Sequence, residues 1–441
     1  MDYCGTNYNI LNLLDEFKLN ANITRANFNM NILYINHYAG SIYHGMEYRP
    51  YYLAREWVRL GHNVTIIASN ISHIRTQNIV IPEGQKYLEE NVDGIKYIWC
   101  KTPAYNGNGM GRVINIFMFL RRLKQLIPQL ICHSKPDLVI ASSTYPFDTR
   151  IAAKIALLTQ AKFVYEVHDL WPLTLIELNG ISKYHPYIWW MQRAEDFGYK
   201  NADKVVSLLP KALDYMREHG LSADRFAYIP NGVSVADWSS SYVQVPSEHI
   251  ERITQIKSKY SFVIGYAGSM GEANALDFLL SAAKGIPQFG FILIGDGPKK
   301  SELLDRLNKE NITNVFFLPR LNKAQIPDFL ARMDALYIGW NNLPIYRFGI
   351  SPNKLFDYML SSKPIIHSVT AGNDLVAAAN CGISIAAENI EQITTAINRL
   401  ANMPVNEREV LGQNGYNYVI KHHDFPILAK RFLVECGVDD A

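Results

Sequence analysis

The chain has 441 residues, which is too long for one ordinary hydrophobic core and indicates two domains or more. Its hydrophobic fraction of 48% and charged fraction of 19% are typical of a globular protein. The formal net charge of +2 gives no reason to expect general nucleic-acid binding.

The five cysteines are scattered and form no Cys-x-x-Cys pair. This pattern argues against a disulfide framework or a zinc ribbon and favours a reducing, cytoplasmic setting. No apolar run is long enough to span a bilayer. Residues 1–29 lack the order of a signal peptide, and we interpret them as an N-terminal extension outside the core.

Apolar strands alternate with helical stretches in the first half. The predicted strands are Ile32–Ile35, Val64–Ala68, Leu138–Ala141, Phe163–Val167 and Val205–Leu209, and the predicted helices include Tyr51–Leu60, Val113–Leu126 and Arg150–Thr159. Strands that are apolar throughout and alternate with helices predict a parallel sheet covered on both faces. We assign residues 30–232 to this N-terminal Rossmann-like domain.

The second half repeats the α/β scheme. Its predicted strands are Phe262–Ala267, Phe291–Ile294, Val315–Leu318, Ala335–Ile338 and Ile365–Val369, with helices at Ala275–Ala283, Lys299–Asn308, Gln325–Arg332 and Asn353–Leu360. We place a linker at residues 233–260, a second Rossmann-like domain at 261–422, and at 423–441 a C-terminal helix that could cross back. Two doubly wound domains of this kind bind ligands in the cleft between the carboxyl ends of their strands.

The segment that begins at Gly349 is the most informative in the chain. Gly349 through Pro352 predict a tight loop, and a helix begins at Asn353. A loop that opens a helix offers free backbone N–H groups and the positive end of a macrodipole, which together bind anions. Lys354 adds a charge there, and Asp357 could accept hydrogen bonds from sugar hydroxyls. This combination predicts a nucleotide-sugar pocket.

A glycine loop at residues 265–272 ends the first strand of the second half and predicts an equivalent anion site. In the first half, Gly40 and Gly45 would allow a ligand to approach the backbone closely, or they belong to an ordinary loop between a strand and a helix. Arg49 could contact an anionic acceptor, or it could be a solvated arginine at a helix start.

His168 lies at the end of a first-domain strand, where it could donate a hydrogen bond to a sugar hydroxyl or to a leaving phosphate, with Asp169 fixing its orientation. A structural turn is the alternative interpretation. The chain contains no Asp-x-Asp, the paired carboxylates with which sugar transferases usually hold magnesium. Helix ends and cations would then neutralise the phosphates, which predicts a reaction that requires no metal.

As a set, these motifs resemble those of retaining, GT-B-fold glycosyltransferases of family 4, in particular the O-antigen and capsule transferases that add N-acetylated aminosugars. The matching segments are residues 37–38, 45–49, 59–64, 142–143, 166–172, 229–233 and 351–359. The resemblance implies a nucleotide-sugar donor, with UDP favoured, bound mainly by the second domain and an acceptor bound mainly by the first, with no cofactor.

Two departures from the family concern the donor sugar. The family's two glutamates, which have seven residues between them, correspond to Gly349 and Asp357. Asp357 can keep the ribose contact of the second glutamate, whereas Gly349 cannot replace the first. A basic pair that relatives carry after the Gly268 loop is also missing. The candidate substitutes are Lys354, Arg347 and Arg320.

The resemblance also implies a front-face displacement in which the leaving diphosphate takes the acceptor proton. The residues assigned to catalysis are His168, Lys354 and Asp357. Those assigned to the donor diphosphate and sugar are Gly268, Ser269, Gly271, Arg347, Gly349, Ser351, Pro352, Asn353 and Leu355. Arg320 and Leu321 are assigned to the base, and Gly40, Gly45, Arg49 and Asp169 to the acceptor side.

Such transferases usually build on a polyprenyl-diphosphate-linked glycan, which would place the enzyme peripherally at the inner face of the cytoplasmic membrane. The helical segment 117–124 could bind an anionic lipid surface, or it could pack as an ordinary amphipathic helix. An aromatic cluster of Tyr184, Tyr187, Trp189 and Trp190 could serve the same purpose. Two other functions stay open: a sugar-nucleotide 2-epimerase, and a non-catalytic nucleotide-sugar-binding subunit.

Overall fold

The computed structural model describes residues 29–107, 109–240 and 243–438, so almost all of the predicted extension at 1–29 lies outside the described residues. The described chain forms two α/β units, each built on one mainly parallel sheet. The predicted pair of Rossmann-like domains is thereby confirmed. No helix within these ranges is both long and apolar enough to cross a bilayer.

The first domain carries an eight-stranded sheet. Its strands are β1 (Asn31–Ile35), β2 (Asn63–Ser69), β3 (Tyr87–Val92), β4 (Ile95–Cys100), β5 (Leu138–Ala141), β6 (Lys162–Val167), β7 (Lys204–Ser207) and β8 (Phe226–Tyr228). They lie in the order β3-β4-β2-β1-β5-β6-β7-β8, and all pairs are parallel except β3 with β4. The helices are α1 (Arg49–Arg59), α2 (Met110–Gln129), α3 (Thr149–Thr159), α4 (Leu173–Asn179), α5 (Pro186–Asn201) and α6 (Leu213–Glu218).

Strand β1 shows why the sheet is buried on both faces. Leu33 and Ile35 pack into the hydrophobic core on one side, while Ile32 and Tyr34 pack into the core on the other. Successive side chains of a strand point to opposite faces, so a strand with helices on both sides is apolar at every position.

The second domain follows the same plan with six parallel strands. They are β9 (Val263–Ala267), β10 (Gly290–Ile294), β11 (Val315–Leu318), β12 (Ala335–Gly339), β13 (Ile365–Ser368) and β14 (Gly382–Ile385), in the order β11-β10-β9-β12-β13-β14. The helices from residue 235 onward are α7 (Val235–Ser240), α8 (Ser247–Lys259), α9 (Leu276–Gly285), α10 (Lys300–Glu310), α11 (Ile326–Ala331), α12 (Asn353–Leu360), α13 (Leu375–Ala379), α14 (Ile390–Asn402), α15 (Val405–His422) and α16 (Phe425–Glu435).

The region predicted as a linker, 233–260, contains α7 and α8, and α8 buries Ile253 and Ile256 in the core of the second domain. The final helix, α16, returns to the first domain and packs on α1. There the Trp57 indole N–H donates to the Ala429 carbonyl at 3.0 Å, and Phe425 stacks on Tyr52 with ring centroids 4.7 Å apart.

A short 3₁₀ segment, Pro344–Phe348, joins the domains directly in front of α12. Its Ile345 and Phe348 are buried among first-domain side chains, including Ala212 and Met216. The Lys211 amide donates to the Phe348 carbonyl at 2.9 Å. The loop that precedes α12 is therefore held in place by the first domain as well as by the second domain, to which it belongs.

Candidate functional site

Four side chains of alternating charge lie at the carboxyl edge of the first sheet. Arg49 Nε donates to Glu166 Oε1 at 3.0 Å, Glu166 Oε2 lies 3.2 Å from His168 Nε2, and His168 Nδ1 lies 2.8 Å from Glu47 Oε1. Only Glu47, at 17% exposure, has an appreciable opening to solvent. We call Arg49, Glu166, His168 and Glu47 the charge chain.

His168 is held as an imidazolium by its two carboxylates. Burial opposes the charge, but Glu47 and Glu166 outweigh it and raise the pKa of His168 to about 10. Because the side chain donates from both nitrogens, it has no N–H left for a sugar hydroxyl, so that prediction is wrong for this conformation. Its orientation comes from Glu47 and Glu166, and the role predicted for Asp169 is also wrong.

Arg49 was predicted to face the acceptor, and the structure contradicts this. The residue is 4% exposed, and its guanidinium donates to the carbonyls of Pro230 at 2.6 Å and Ile229 at 3.1 Å in addition to Glu166. Its charge offsets that of Glu166, whose pKa is held well below its usual value, although burial alone would raise it. Arg49 thus stabilises the charge chain from its buried end.

The predicted role of Gly40 and Gly45 is also corrected. A Cβ on Gly40 would lie 1.9 Å from the Gly45 carbonyl oxygen, and Gly45 has φ +101° with the Thr76 backbone 2.6 Å from its missing Cβ. The close approach that these glycines permit is that of their own loop. Asp169, in contrast, is exposed. Burial raises the pKa of Tyr346, and the negative charge of Asp169 adds to that rise.

Two glycine loops of the second domain pack on each other at its carboxyl edge. The Gly268 amide donates to the Ile294 carbonyl at 3.1 Å and the Met270 amide to the Asp296 carbonyl at 2.8 Å. Within the described chain, the amides of Ser269 and Gly271 donate to no protein group. Of the four backbone amides predicted to bind an anion, from Gly268 to Gly271, two therefore remain available for a ligand.

Lys354 lies beside the Gly268 loop and belongs to α12. Its Nζ donates to Tyr266 Oη at 3.0 Å and to Asn274 Oδ1, and it lies 3.4 Å from the position a Cβ would take on Gly268. Burial lowers the pKa of Lys354 to about 7. No carboxylate pairs with this ammonium group in the described structure. A diphosphate at this position would supply the missing counter-charge.

The loop in front of α12 is held by amide side chains. Asn373 bonds both backbone groups of Ile350, at 2.7 and 3.0 Å. The backbone amide of Asn231 donates to the Ser351 hydroxyl at 2.9 Å, and the Asn231 side chain donates from Nδ2 to the Ser351 carbonyl at 3.1 Å. These contacts tie Ser351 to the first domain and leave its hydroxyl hydrogen free to donate, so its predicted contact with the sugar donor stays a prediction.

Gly349 has no room for the glutamate that relatives carry. Its φ is +109°, and an added Cβ would lie 2.5 Å from Cδ of Pro210 in the first domain. The glycine and the close approach of the two domains therefore depend on each other.

Three other donor-site predictions are corrected by packing. Arg347 makes a bidentate ion pair with Glu177 of α4 at 2.7 and 2.8 Å, so its guanidinium joins the domains instead of facing the loops. Leu355 and Leu321 are buried in the second-domain core and present no side chain to a ligand. Pro352 precedes the first residue of α12, and Asn353 is exposed at the helix start with a backbone amide that no described group accepts.

A second basic group lies on the other side of Asp357. Burial raises the pKa of Asp357 to about 6, and the charge of Lys323 opposes that rise. The Lys323 ammonium lies 4.6 Å from the centroid of the Tyr48 ring in the first domain, and the charge of Arg320 also acts on Tyr48. Lys323 thus connects Asp357 electrostatically with Tyr48 of the first domain, where Arg320 also acts.

Sequence reasoning missed Glu47, Tyr266, Asn274 and Lys323 as site residues. Glu47 was part of a quoted motif, but only the fold brings it to His168. Tyr266 and Asn274 flank the Gly268 loop, and nothing in the sequence except that position marks them as site residues. No group of three or more His, Cys, Asp or Glu side chains able to hold a metal is found in the described ranges.

Family comparisons divide the chain as the two sheets do. Residues 44–232 match the family described as "Glycosyl transferase 4-like domain", and residues 261–403 match "Glycosyl transferases group 1". The probable glycosyltransferase WbjE of Pseudomonas aeruginosa is 22% identical over 288 residues, which cover 62% of this chain and 68% of WbjE.

Solved structures show the same fold. HepE from Anabaena, in complex with UDP and glucose, superposes with a TM-score of 0.62 at 15% identity and covers 93% of this chain and 100% of its own. WaaG, a glycosyltransferase involved in lipopolysaccharide biosynthesis, gives the same TM-score, identity and coverage. The arrangement of the two sheets is that of the GT-B fold.

Proposed function

We infer that this chain is a glycosyltransferase, because its first domain matches a glycosyl transferase 4-like family and its second domain a group 1 family. We propose that it is a retaining, metal-independent enzyme that moves an N-acetylated aminosugar from a UDP-linked donor to a lipid-linked glycan. The observation that carries the proposal is Lys354, a largely enclosed lysine without a carboxylate partner, beside the free amides of Ser269 and Gly271.

The donor lies along the carboxyl edge of the second domain in this proposal. Its diphosphate accepts from Lys354 Nζ and from the amides of Ser269 and Gly271, and the helix start at Asn353 adds its dipole. Asp357 accepts from the ribose hydroxyls, while Arg320 and Lys323 contact the base. HepE, whose crystals contain UDP, supports the choice of nucleotide.

The transfer is a front-face displacement at the anomeric carbon. The bond from that carbon to the diphosphate oxygen breaks, the acceptor oxygen forms its bond on the same face, and the acceptor proton passes to the departing diphosphate. Lys354 and the amides stabilise the negative charge that develops there. His168 is already an imidazolium and cannot take the proton, which agrees with a mechanism that uses the leaving group as base.

Glu47 and Asp169 are placed on the acceptor side. Glu47 is the outer end of the charge chain, and one of its oxygens is used by His168. The other can accept a hydrogen bond from an acceptor hydroxyl and so orient it towards the donor. The choice of an N-acetylated aminosugar rests on the motif around Lys354. The choice of a surface polysaccharide as the product rests on the same motif and on the likeness to WaaG.

We place the enzyme in the cytoplasm, peripherally on the inner face of the cytoplasmic membrane. The support is an exposed aromatic surface on the first domain, where Trp190 stacks on Phe117 at 5.2 Å and the Arg193 guanidinium lies 4.3 Å from the Trp189 ring centroid. Aromatic and basic side chains in this arrangement suit an anionic interface.

Acceptor-dependent release of nucleoside diphosphate tests the function. A panel of nucleotide sugars is incubated in EDTA with and without lipid-linked glycan acceptors, and Lys354→Met is compared with Lys309→Met on the exposed face of α10. We expect release only when the acceptor is present, and at least about a hundredfold loss in Lys354→Met alone. Tight donor binding without turnover would favour a binding subunit, and release that needs no acceptor would favour an epimerase.

A further inference from the structure

Trp340 lies beside the lysine that we assign to the diphosphate. It follows β12 directly, and its amide donates to the Ser368 carbonyl at 3.0 Å. The Lys354 ammonium lies 5.8 Å from the centroid of the indole ring. The adjacent Asn341 donates from Nδ2 to the Glu272 carbonyl at 3.0 Å, in the segment that follows the glycine loop. Trp340 is therefore fixed at the edge of the proposed diphosphate site.

Tyr346 connects Trp340 with the first domain. The two rings meet edge-on, with centroids 5.8 Å apart and an angle of 79° between their planes. The Tyr346 carbonyl accepts from the amides of Gly349 at 2.9 Å and Gly372 at 2.8 Å, which fixes the residue beside the loop in front of α12. Asp169 of the first domain is close enough for its charge to add to the rise that burial causes in the pKa of Tyr346. Tyr346 thus lies between Trp340 and a carboxylate on the acceptor side.

The two rings lie where the proposed reaction requires the transferred sugar. The anomeric carbon is bonded first to the diphosphate, at Lys354, and then to the acceptor, on the side of Asp169. The sugar must therefore lie between these two groups, as Trp340 and Tyr346 do. Gly349 cannot supply the sugar contact that a glutamate at its position would make, so other side chains are needed for it.

The indole N–H of Trp340 lacks an acceptor. Nε1 is shielded from solvent and bonds no group among the described residues. A buried N–H without a partner destabilises a protein unless a ligand or a water supplies the acceptor. An indole N–H can only donate, so the matching ligand group is an acceptor such as a carbonyl oxygen. The side chain as a whole is only half-buried, which leaves part of it open to a ligand.

From this arrangement we infer that Trp340 and Tyr346 recognise the acetamido group of the donor sugar and so determine donor specificity. The inference rests on the proposed function and names the residues that select the aminosugar. The acetamido carbonyl oxygen accepts from Trp340 Nε1, and the methyl group packs against the two rings. A hydroxyl in place of the acetamido group is too short to do both.

Calorimetric titration of the full chain with matched donors tests the inference. The pairs are UDP-N-acetylglucosamine with UDP-glucose and UDP-N-acetylgalactosamine with UDP-galactose, while UDP alone measures the nucleotide contacts. In at least one pair we expect the acetamido sugar to bind at least about tenfold more tightly, because the hydroxyl sugar loses a hydrogen bond and a buried methyl group together.

Two substitutions should reduce this preference. Trp340→Phe keeps an aromatic ring beside Lys354 but removes the N–H, and should reduce the preference by about fivefold without a change in the affinity for UDP. Tyr346→Leu removes the second ring and should reduce it by about threefold. Trp238→Phe makes the same change as Trp340→Phe in another half-buried indole, on α7, and should leave the preference unchanged. An unchanged thermal midpoint would show that each protein is folded.

Three results would overturn the inference. One is equal affinity within both pairs for the unsubstituted protein, and another is an undiminished preference in Trp340→Phe. The third is a loss of UDP affinity in Trp340→Phe as large as the loss for the acetamido sugar, which would make Trp340 a support for Lys354 only. Failure of the proposed function is separate, because it would appear as absence of acceptor-dependent UDP release, whereas these titrations contain no acceptor.

Discussion

Lys354 contacts a tyrosine hydroxyl and an amide oxygen, and burial lowers its pKa to about 7. A bound diphosphate favours the charged lysine and would raise this pKa. The affinity for a UDP-sugar should therefore be highest near pH 7 and fall by up to about tenfold for each pH unit above it. Calorimetry with UDP-N-acetylglucosamine from pH 7 to 9 should also show proton uptake on binding.

The pH range is chosen to leave the other site groups unchanged. Asp357, with a pKa of about 6, is ionised throughout, and His168, with a pKa of about 10, stays charged over most of it. Lys354→Met should abolish both the slope and the proton uptake. A slope that survives in Lys354→Met would assign the titration to another group.

Arg49 offers a test of stability. Its pair with Glu166 is almost fully buried, so Arg49→Met leaves a carboxylate in the interior without its main partner. We expect the free energy of unfolding to fall by about 3–5 kcal/mol in urea titrations. Arg217→Met, which removes an exposed pair with Asp214 at 3.7 Å, should change it by less than about 1 kcal/mol. Similar values for both would contradict the structural role of Arg49.

Single residues also show the limit of sequence reasoning. The residue type of His168 and its place after a strand were enough to nominate it, but its partners come from the distant Glu47 loop and from the preceding strand. Arg49 was predicted either to contact an anionic acceptor or to be a solvated arginine at a helix start, and both interpretations assume that it is exposed. Only the fold reveals the buried carboxylate opposite it.

Among the elements, α12 matches the predicted helix residue for residue because its apolar spacing, its preceding proline and its charged first turn all agree. Strands β3, β4, β8 and β14 were not predicted, and β3 and β14 show the opposite case to α12. β3 reads YLEENV and is largely half-exposed at the sheet edge, and β14 is four half-buried residues, so neither has the continuous apolar run of the central strands.

The loop before α12 requires a glycine at position 349. Gly349→Ala imposes both an unfavourable φ of +109° and a collision with Pro210, so we expect a loss of about 2–4 kcal/mol in the free energy of unfolding. Gly180→Ala has a positive φ of +64° but nothing within 4 Å, and should lose only about 1 kcal/mol. Pro210→Ala should restore part of the loss in Gly349→Ala, and absence of that rescue would refute the contact.

At the scale of the whole molecule, two segments hold the domains together. The segment Pro344–Phe348 is inserted into the first domain, and α16 returns from the second domain to pack on α1. The sequence predicted the two domains and offered a returning C-terminal helix. It could not predict the inserted segment, because Ile345 and Phe348 look like ordinary core residues of their own domain.

The ion pair between Arg347 and Glu177 should favour the closed arrangement. Each side chain remains in contact with solvent, so Glu177→Gln should alter the free energy of unfolding by less than about 1 kcal/mol. If closure assembles the site, the same substitution should raise the donor KM by about threefold to tenfold and increase the radius of gyration in X-ray scattering. Glu89→Gln, which removes an exposed pair within the first domain, should do neither.

The most direct test is a crystal structure of the protein with a UDP-sugar, grown in EDTA. We predict a diphosphate within hydrogen-bonding distance of Lys354 Nζ and the amides of Ser269 and Gly271, with the ribose at Asp357. A diphosphate bound elsewhere, or one that binds only when a divalent metal is supplied, would contradict the proposed site.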